Sequence, residues 1–146
     1  MKLHRHVLVV DDDAGIRGLL RLLAERRGFT ADVAVDGIEA LQKLGECTYD
    51  LAIIDLMMPR LNGYDLVLDM SSHEQRPTIV VATAMTDVLI GQLDANVVHS
   101  ILRKPFDIEV VGSLMTELLT AMNARSDDAP LPDNVVAFPR TLLTGS

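Results

Sequence analysis

The chain lacks the residues on which several classes of protein depend. It has a single cysteine, Cys47, among 146 residues, which excludes an intramolecular disulfide and any cysteine-based metal cluster. No uncharged apolar run approaches about 18 residues, and the N-terminus becomes acidic too early for a signal peptide. We therefore predict a cytoplasmic protein with no membrane segment, stabilised by burial alone, with Cys47 as a small, partly buried residue.

Basic residues are also scarce. Thirteen lysines and arginines stand against 21 acidic residues, which gives a net charge of −8. Sequence-independent binding to nucleic acid needs clustered positive charge, so this balance argues against nucleic acid as a direct partner. The length and the 49% hydrophobic content suit one compact domain.

Short apolar runs alternate along the chain with segments of helical periodicity. The predicted strands are residues 5–10, 30–35, 50–54, 76–83 and 100–104. The predicted helices run from about residue 16 to a stop at Gly28, then over 36–46 with Asp36 as N-cap, 64–73, 87–95 and 107–122. Short apolar strands that alternate with helices indicate a doubly wound α/β domain with a five-stranded parallel sheet.

The alternation stops near the C-terminus. We assign residues 1–124 to the α/β domain and residues 125–146 to a proline-containing tail or linker, which we expect to be disordered. Docking of the apolar stretch "VVAF" (135–138) onto the domain or onto a partner is the alternative.

Chemically reactive side chains follow the predicted strands where the strands end. They are Asp11 and Asp12 after the first strand, Asp55 after the third, Thr83 at the end of the fourth, and Lys104 at the end of the fifth. In open α/β sheets, ligands bind at the carboxyl ends of the strands, where the strand order reverses. If the order is 2-1-3-4-5, Asp11 and Asp12 lie beside Asp55, and the sequence predicts an acidic pocket.

Three neighbouring carboxylates repel one another unless cations compensate them. Lys104 supplies one positive charge, and the remaining charge of about −2 matches one divalent ion. Oxygen ligands favour Mg²⁺ over zinc, which prefers nitrogen and sulfur. For any single aspartate the alternative is an ordinary helix N-cap, but caps do not explain the whole set.

Four stretches resemble the receiver domain of bacterial two-component response regulators. They are "VLVVDDDAGIRGLL", "LAIIDLMMPRLNGYDL", "VVATA" and "KPF", and the resemblance extends from residue 5 to about residue 124. It implies a flavodoxin-like (βα)5 fold and supports the 2-1-3-4-5 strand order.

By that resemblance, Asp55 is the phosphoacceptor, and Thr83 and Lys104 contact the phosphoryl oxygens. Mg²⁺, or Mn²⁺, would be held by Asp11, Asp12, Asp55 and the backbone carbonyl of Met57. The implied phosphodonor is a sensor histidine kinase or a histidine phosphotransfer protein. The protein would be a switch, or a phosphorelay shuttle, rather than a metabolic enzyme.

The expected output is a downstream protein that reads the fourth helix, the fifth strand and the fifth helix. Homodimerisation through this face is an open alternative. So are a receiver fold that no longer switches, and a receiver fragment of a larger regulator rather than a stand-alone protein.

The sequence departs from the family at three places. Ile101 stands where the family usually has the aromatic residue that moves with Thr83, which puts that coupling in question. "NVVHS" (96–100) replaces the usual Gly-Ala before the fifth strand. Met57 and Met85 stand where many relatives have polar side chains that orient a hydrolytic water, which predicts an aspartyl-phosphate that lasts hours rather than minutes.

Overall fold

Five strands and four helices make up the part of the chain that the structure describes. The computed structural model describes residues 5–58, 60, 62–73, 76–84, 91, 93–94 and 96–125. The strands are β1 (Arg5–Val10), β2 (Phe29–Ala34), β3 (Leu51–Ile54), β4 (Thr78–Thr83) and β5 (Val98–Arg103). The helices are α1 (Ala14–Arg26), α2 (Gly37–Glu46), α3 (Gly63–Ser71) and the C-terminal helix (Ile108–Arg125). None of these helices is both long and apolar enough to cross a membrane.

The five strands form one parallel sheet in the order β2-β1-β3-β4-β5. This confirms the predicted doubly wound fold. Most of the predicted helix over 87–95 lies outside the described residues, and its described positions Gly91, Leu93 and Asp94 are not helical. Of the predicted tail over 125–146, Arg125 is the last residue of the C-terminal helix, and residues 126–146 lie outside the described residues.

Three helices begin at a side chain that caps the first turn. Asp13, Asp36 and Asn62 each have an extended backbone and accept a hydrogen bond from the backbone N–H three residues later. Such a cap satisfies one of the donors that a helix start leaves unpaired. The predicted cap at Asp36 is confirmed, and Gly28, with a φ of 100°, follows the end of α1 as predicted.

Two apolar cores lie on the two faces of the sheet. On one face, β-strand residues such as Leu8 and Ile54 pack with Leu66 and Met70 of α3. On the other face, residues such as Val9 and Ile53 pack with Leu20 of α1 and with the C-terminal helix. Adjacent strand residues therefore enter opposite cores, which explains why these strands are apolar throughout.

Besides shifts of one to three residues at other element ends, two sequence-based expectations were wrong. The fifth strand begins at Val98 rather than residue 100, because Val98 also pairs with β4. The register shifts there, with Ile79 opposite Val98 and Val80 opposite Ser100. Cys47 is exposed rather than partly buried, because it stands where the extended chain leaves α2.

Close packing at the start of α3, rather than the conformation of the preceding turn, requires a glycine at position 63. A Cβ at this position would overlap the carbonyl oxygen of Asp55 and lie 2.8 Å from the Cα of Leu56. Its backbone N–H also donates to the Leu56 carbonyl at 3.2 Å. The start of α3 is thereby held against the backbone that carries Asp55.

We expect Gly63→Ala to lower the free energy of unfolding by about 1–3 kcal/mol, because the added methyl must displace this backbone. Gly18→Ala is the matched control, since a Cβ at Gly18 in α1 meets no atom within 4 Å. That change should be neutral or stabilising by up to about 1 kcal/mol. Urea unfolding measures both, and equal stabilities of the two variants would contradict the packing argument.

Candidate functional site

Three carboxylates from two neighbouring strand ends meet at the carboxyl edge of the sheet. One oxygen each of Asp11, Asp12 and Asp55 lies within 4.8 Å of the others. Asp11 and Asp55 are only 1% and 5% exposed, whereas Asp12 is exposed. The register places Val10 opposite Ile54, so the residues that follow these two strands are neighbours although 44 positions separate them. We call this group, together with Lys104, the acidic pocket.

The ammonium of Lys104 bridges two of the carboxylates. Its Nζ lies 2.8 Å from Oδ2 of Asp11 and 3.2 Å from Oδ2 of Asp55. The Lys104 backbone N–H donates to the carbonyl of Thr83 at 2.9 Å, and the Lys104–Pro105 peptide bond is cis. The lysine thus links the ends of β1 and β3 across the end of β4.

Backbone donors fix the other oxygen of each bridged carboxylate. Oδ1 of Asp55 accepts from the N–H of Met57 at 3.0 Å. Oδ1 of Asp11 accepts from the N–H of Asp13 at 2.9 Å. Each carboxylate is therefore held in a defined orientation, with its Oδ2 directed to Lys104.

The pKa values of Asp55 and Lys104 are both raised, for different reasons. Burial raises the pKa of Asp55, and the Met57 N–H and Lys104 only partly offset that rise. Burial alone would lower the pKa of Lys104, but its contacts with Asp11 and Asp55 raise it overall. Three carboxylates against one ammonium leave an excess of negative charge, so the pocket favours added positive charge.

The donor set of the pocket fits a hard divalent cation. Among the residues that the structure describes, Asp11, Asp12 and Asp55 are the group with metal-ligand spacing, and every donor is a carboxylate oxygen. Oxygen-only sites of this kind suit Mg²⁺ or Mn²⁺ and not zinc. The third neighbouring aspartate, Asp13, has another task, because its side chain caps α1 at the N–H of Ile16.

The remaining predicted site positions differ in their burial, and one of them is not among the described residues. Thr83 is fully buried at the carboxyl end of β4. Ile101 pairs with Val81 and packs, partly buried, against the core beneath α2 and α3. Met57 is 60% exposed, and Met85 lies outside the described residues.

The sequence reasoning missed an arginine that ties the loop after Asp55 to α2. Arg60 has a φ of 62°, unusual for a residue with a side chain, and its guanidinium pairs with the buried carboxylate of Asp36. The pKa of Asp36 is lowered, first by the N–H of Glu39 and further by Arg60. A lone arginine in a loop gives no sequence signal for such a pair.

A second missed contact comes from α1. The guanidinium of Arg17 donates to the backbone carbonyl of Asp11 at 2.9 Å. It joins the first helix to the loop that carries two of the pocket's carboxylates. Its helical position alone did not reveal this role.

The family model of the response regulator receiver domain matches residues 7–115, which include residues 7–10 of β1, the other four strands and the whole acidic pocket. The chain belongs to the response regulator receiver domain family. This confirms the family predicted from the four sequence stretches and places the protein among bacterial two-component signalling proteins.

Curated relatives and solved structures agree with this assignment. Response regulator MprA of Mycobacterium ulcerans (strain Agy99) is 35% identical over 125 residues, which cover 84% of this chain and 53% of the relative. Response regulator MprA of Mycobacterium bovis (strain BCG / Pasteur 1173P2) is 36% identical over 115 residues, 77% of this chain and 50% of the relative. The receiver chain thus spans about half the length of the curated relatives it matches.

Two solved receivers have the same fold as this chain. The chemotaxis response regulator CheY4 of Vibrio cholerae superposes with a TM-score of 0.72 at 28% identity, over 80% of this chain and 99% of the other. The receiver domain of Francisella response regulator 1452 gives a TM-score of 0.72 at 30% identity, over 82% of this chain and 99% of the other. The described architecture is therefore that of a receiver domain.

The raised pKa of Asp55 predicts that its charge destabilises the folded receiver. The folded state binds a proton here more tightly than the unfolded chain, so stability is lost as the pH rises through the folded-state pKa. We expect Asp55→Asn to raise the free energy of unfolding at neutral pH by on the order of 1 kcal/mol. The gain should shrink as the pH falls towards the ordinary aspartate pKa of about 3.9.

Urea unfolding at neutral and acidic pH measures this difference. Asp65→Asn is the control, because it removes an exposed carboxylate in the first turn of α3, where negative charge favours the helix, and it should therefore not raise stability at either pH. An Asp55→Asn variant less stable than the parent at neutral pH would show that the Lys104 contact outweighs the cost of burial.

Proposed function

We propose that this receiver is a phosphorylation-controlled signalling switch in which Asp55 accepts a phosphoryl group from a sensor histidine kinase or a histidine phosphotransfer protein. The observation that carries the proposal is the fixed Asp55 carboxylate, held between the Met57 N–H and Lys104 beside two further acids. A carboxylate is already nucleophilic, so the pocket has only to align it and to balance charge.

The reaction transfers the phosphoryl group from nitrogen to oxygen. A carboxylate oxygen of Asp55 forms a bond to phosphorus while the phosphorus–nitrogen bond of the donor histidine breaks, and the imidazole takes up a proton. Asp11, Asp12, Asp55 and the backbone carbonyl of Met57 would hold Mg²⁺ or Mn²⁺. When bound, the ion supplies charge stabilisation to the phosphoryl oxygens.

Thr83 and Lys104 are the proposed contacts of the phosphoryl group after transfer. Lys104 already lies 3.2 Å from Asp55, so its ammonium can pair with a phosphoryl oxygen formed there. Shifting a two-state domain from 1:99 to 99:1 requires about 5.5 kcal/mol, and charge-assisted contacts of this kind supply a share of it.

The proposed partner surface includes β5 and the C-terminal helix, together with the fourth predicted helix, most of which lies outside the described residues. We propose a downstream protein as the reader of this surface, with no direct nucleic-acid contact by this domain and with homodimerisation as a further arrangement of the same face. The acidic composition of the chain supports a protein reader over nucleic acid.

One observation favours a second candidate, a receiver that does not switch. Ile101 lies on β5 against the α2–α3 side of the core and has neither a large ring nor a polar tip to relocate when Thr83 engages a phosphoryl group. Comparing partner binding before and after phosphorylation separates the two. Equal affinity of both forms argues against the switch and supports the non-switching module or the phosphorelay shuttle.

The decisive experiment is phosphorylation in vitro. We expect incubation with acetyl phosphate and Mg²⁺, or with a phosphorylated kinase, to add one phosphoryl group that mass spectrometry locates on Asp55. Asp55→Ala should abolish the adduct, whereas Asp65→Ala, which removes an exposed acid outside the pocket, should keep it. The absence of an adduct, or an adduct that persists in Asp55→Ala, refutes the proposal.

The Met57 side chain predicts slow loss of the phosphoryl group, because a thioether is a weak acceptor for an attacking water. We expect Met57→Asn to speed hydrolysis by about two- to tenfold, the worth of one hydrogen bond. Met57→Leu, which stays apolar, should remain slow. Phosphate release from the purified phosphoprotein measures the rates, and an asparagine variant no faster than the leucine variant would contradict this role.

A further inference from the structure

The described methionines differ sharply in exposure. Met57 is 60% exposed. Met58, Met70, Met115 and Met122 are each at most 9% exposed, because they pack in the two cores. Peroxides react with accessible thioethers much more readily than with buried ones, so Met57 is the preferred sulfur among the described residues.

The exposed sulfur belongs to a residue that contacts the phosphoacceptor. The Met57 N–H donates to Oδ1 of Asp55 at 3.0 Å, which fixes its backbone beside the carboxylate. Its side chain therefore leaves the backbone at the rim of the acidic pocket and reaches solvent. A change in the polarity of that side chain alters the surroundings of the water that would attack a phosphoryl group on Asp55.

We propose that Met57 is a redox modification site through which peroxide sets the lifetime of the aspartyl-phosphate. This inference rests on the proposed function of Asp55. The thioether sulfur attacks one peroxide oxygen, a sulfur–oxygen bond forms and the oxygen–oxygen bond breaks. Sulfur is oxidised by two electrons, and the peroxide is reduced to water or an alcohol.

Oxidation changes the chemistry of the side chain in one decisive respect. A thioether is a weak acceptor, whereas the sulfoxide oxygen is strongly polar and accepts hydrogen bonds from water. A water held there is directed towards phosphorus. Its attack breaks the bond between phosphorus and the Asp55 oxygen, releases inorganic phosphate and restores the carboxylate. Methionine sulfoxide reductases reverse the oxidation, so the control is reversible.

The first measurement is site selectivity. The experiment uses the full chain with Cys47→Ser, because Cys47 is an exposed thiol that peroxide would also oxidise. Limited hydrogen peroxide followed by peptide mass spectrometry should find sulfoxide on Met57 well before Met70 or Met115. Equal rates at the exposed and the buried methionines overturn the proposal.

The second measurement is the rate of phosphate release after phosphorylation by acetyl phosphate, with each protein compared with itself before and after peroxide. We expect oxidation to speed release by about two- to tenfold in the parent, the worth of one hydrogen bond, and not to change it in Met57→Leu. Treatment with methionine sulfoxide reductase should restore the slow rate.

The outcomes separate the two claims. A parent that takes up the phosphoryl group but releases it at the same rate before and after oxidation overturns the redox inference and leaves the proposed function intact. An equal acceleration in Met57→Leu also overturns the inference, because another residue would then be responsible. A protein that takes up no phosphoryl group overturns the proposed function itself, and the redox inference with it.

Discussion

The bridge from the Lys104 ammonium to the Asp11 and Asp55 carboxylates is the interaction on which this site depends. It holds three strand ends together and offsets one of three negative charges. Without it, these two nearly buried carboxylates would lie beside each other with no compensating cation. The electrostatic cost of that arrangement is far larger than for two exposed carboxylates. With it, the pocket keeps enough negative charge to attract a cation and enough order to present one oxygen of Asp55.

The rest of the fold holds the strand ends that carry this bridge in place. The apolar strands enter two cores at once, so their carboxyl ends cannot slip relative to one another. Helix starts capped by Asp13 and Asp36, and the close approach of Gly63 to the Asp55 backbone, fix the loops that leave those ends. The Arg60–Asp36 pair and the Arg17 contact tie two of these loops to the helices beside them. These contacts hold the acidic pocket in a fixed geometry, while the Met57 side chain remains exposed at its rim.

Much of the fold and of the candidate site could be predicted, because the sequence signals for them are local. Five apolar runs that alternate with helical periodicity predicted the strands and the doubly wound fold class, and the residue at the end of each strand could be read from its own run. The strand order was supported by the resemblance to receiver domains. The start of β5 was misplaced because pairing with β4, rather than the residues themselves, recruits Val98. The exposure of Cys47 was missed because burial depends on where the chain leaves α2.

The sequence by itself determined the element order, the receiver family and the identity of the acids and the lysine at the strand ends. These features could be read from hydrophobic periodicity and residue type, which depend on residues that are close in the sequence. Only the tertiary structure decided which oxygen faces Lys104, that Arg60 pairs with Asp36, and that one described methionine stands in solvent while four are buried. These features depend on contacts between residues distant in sequence, and such contacts exist only after the sheet has brought its strand ends together.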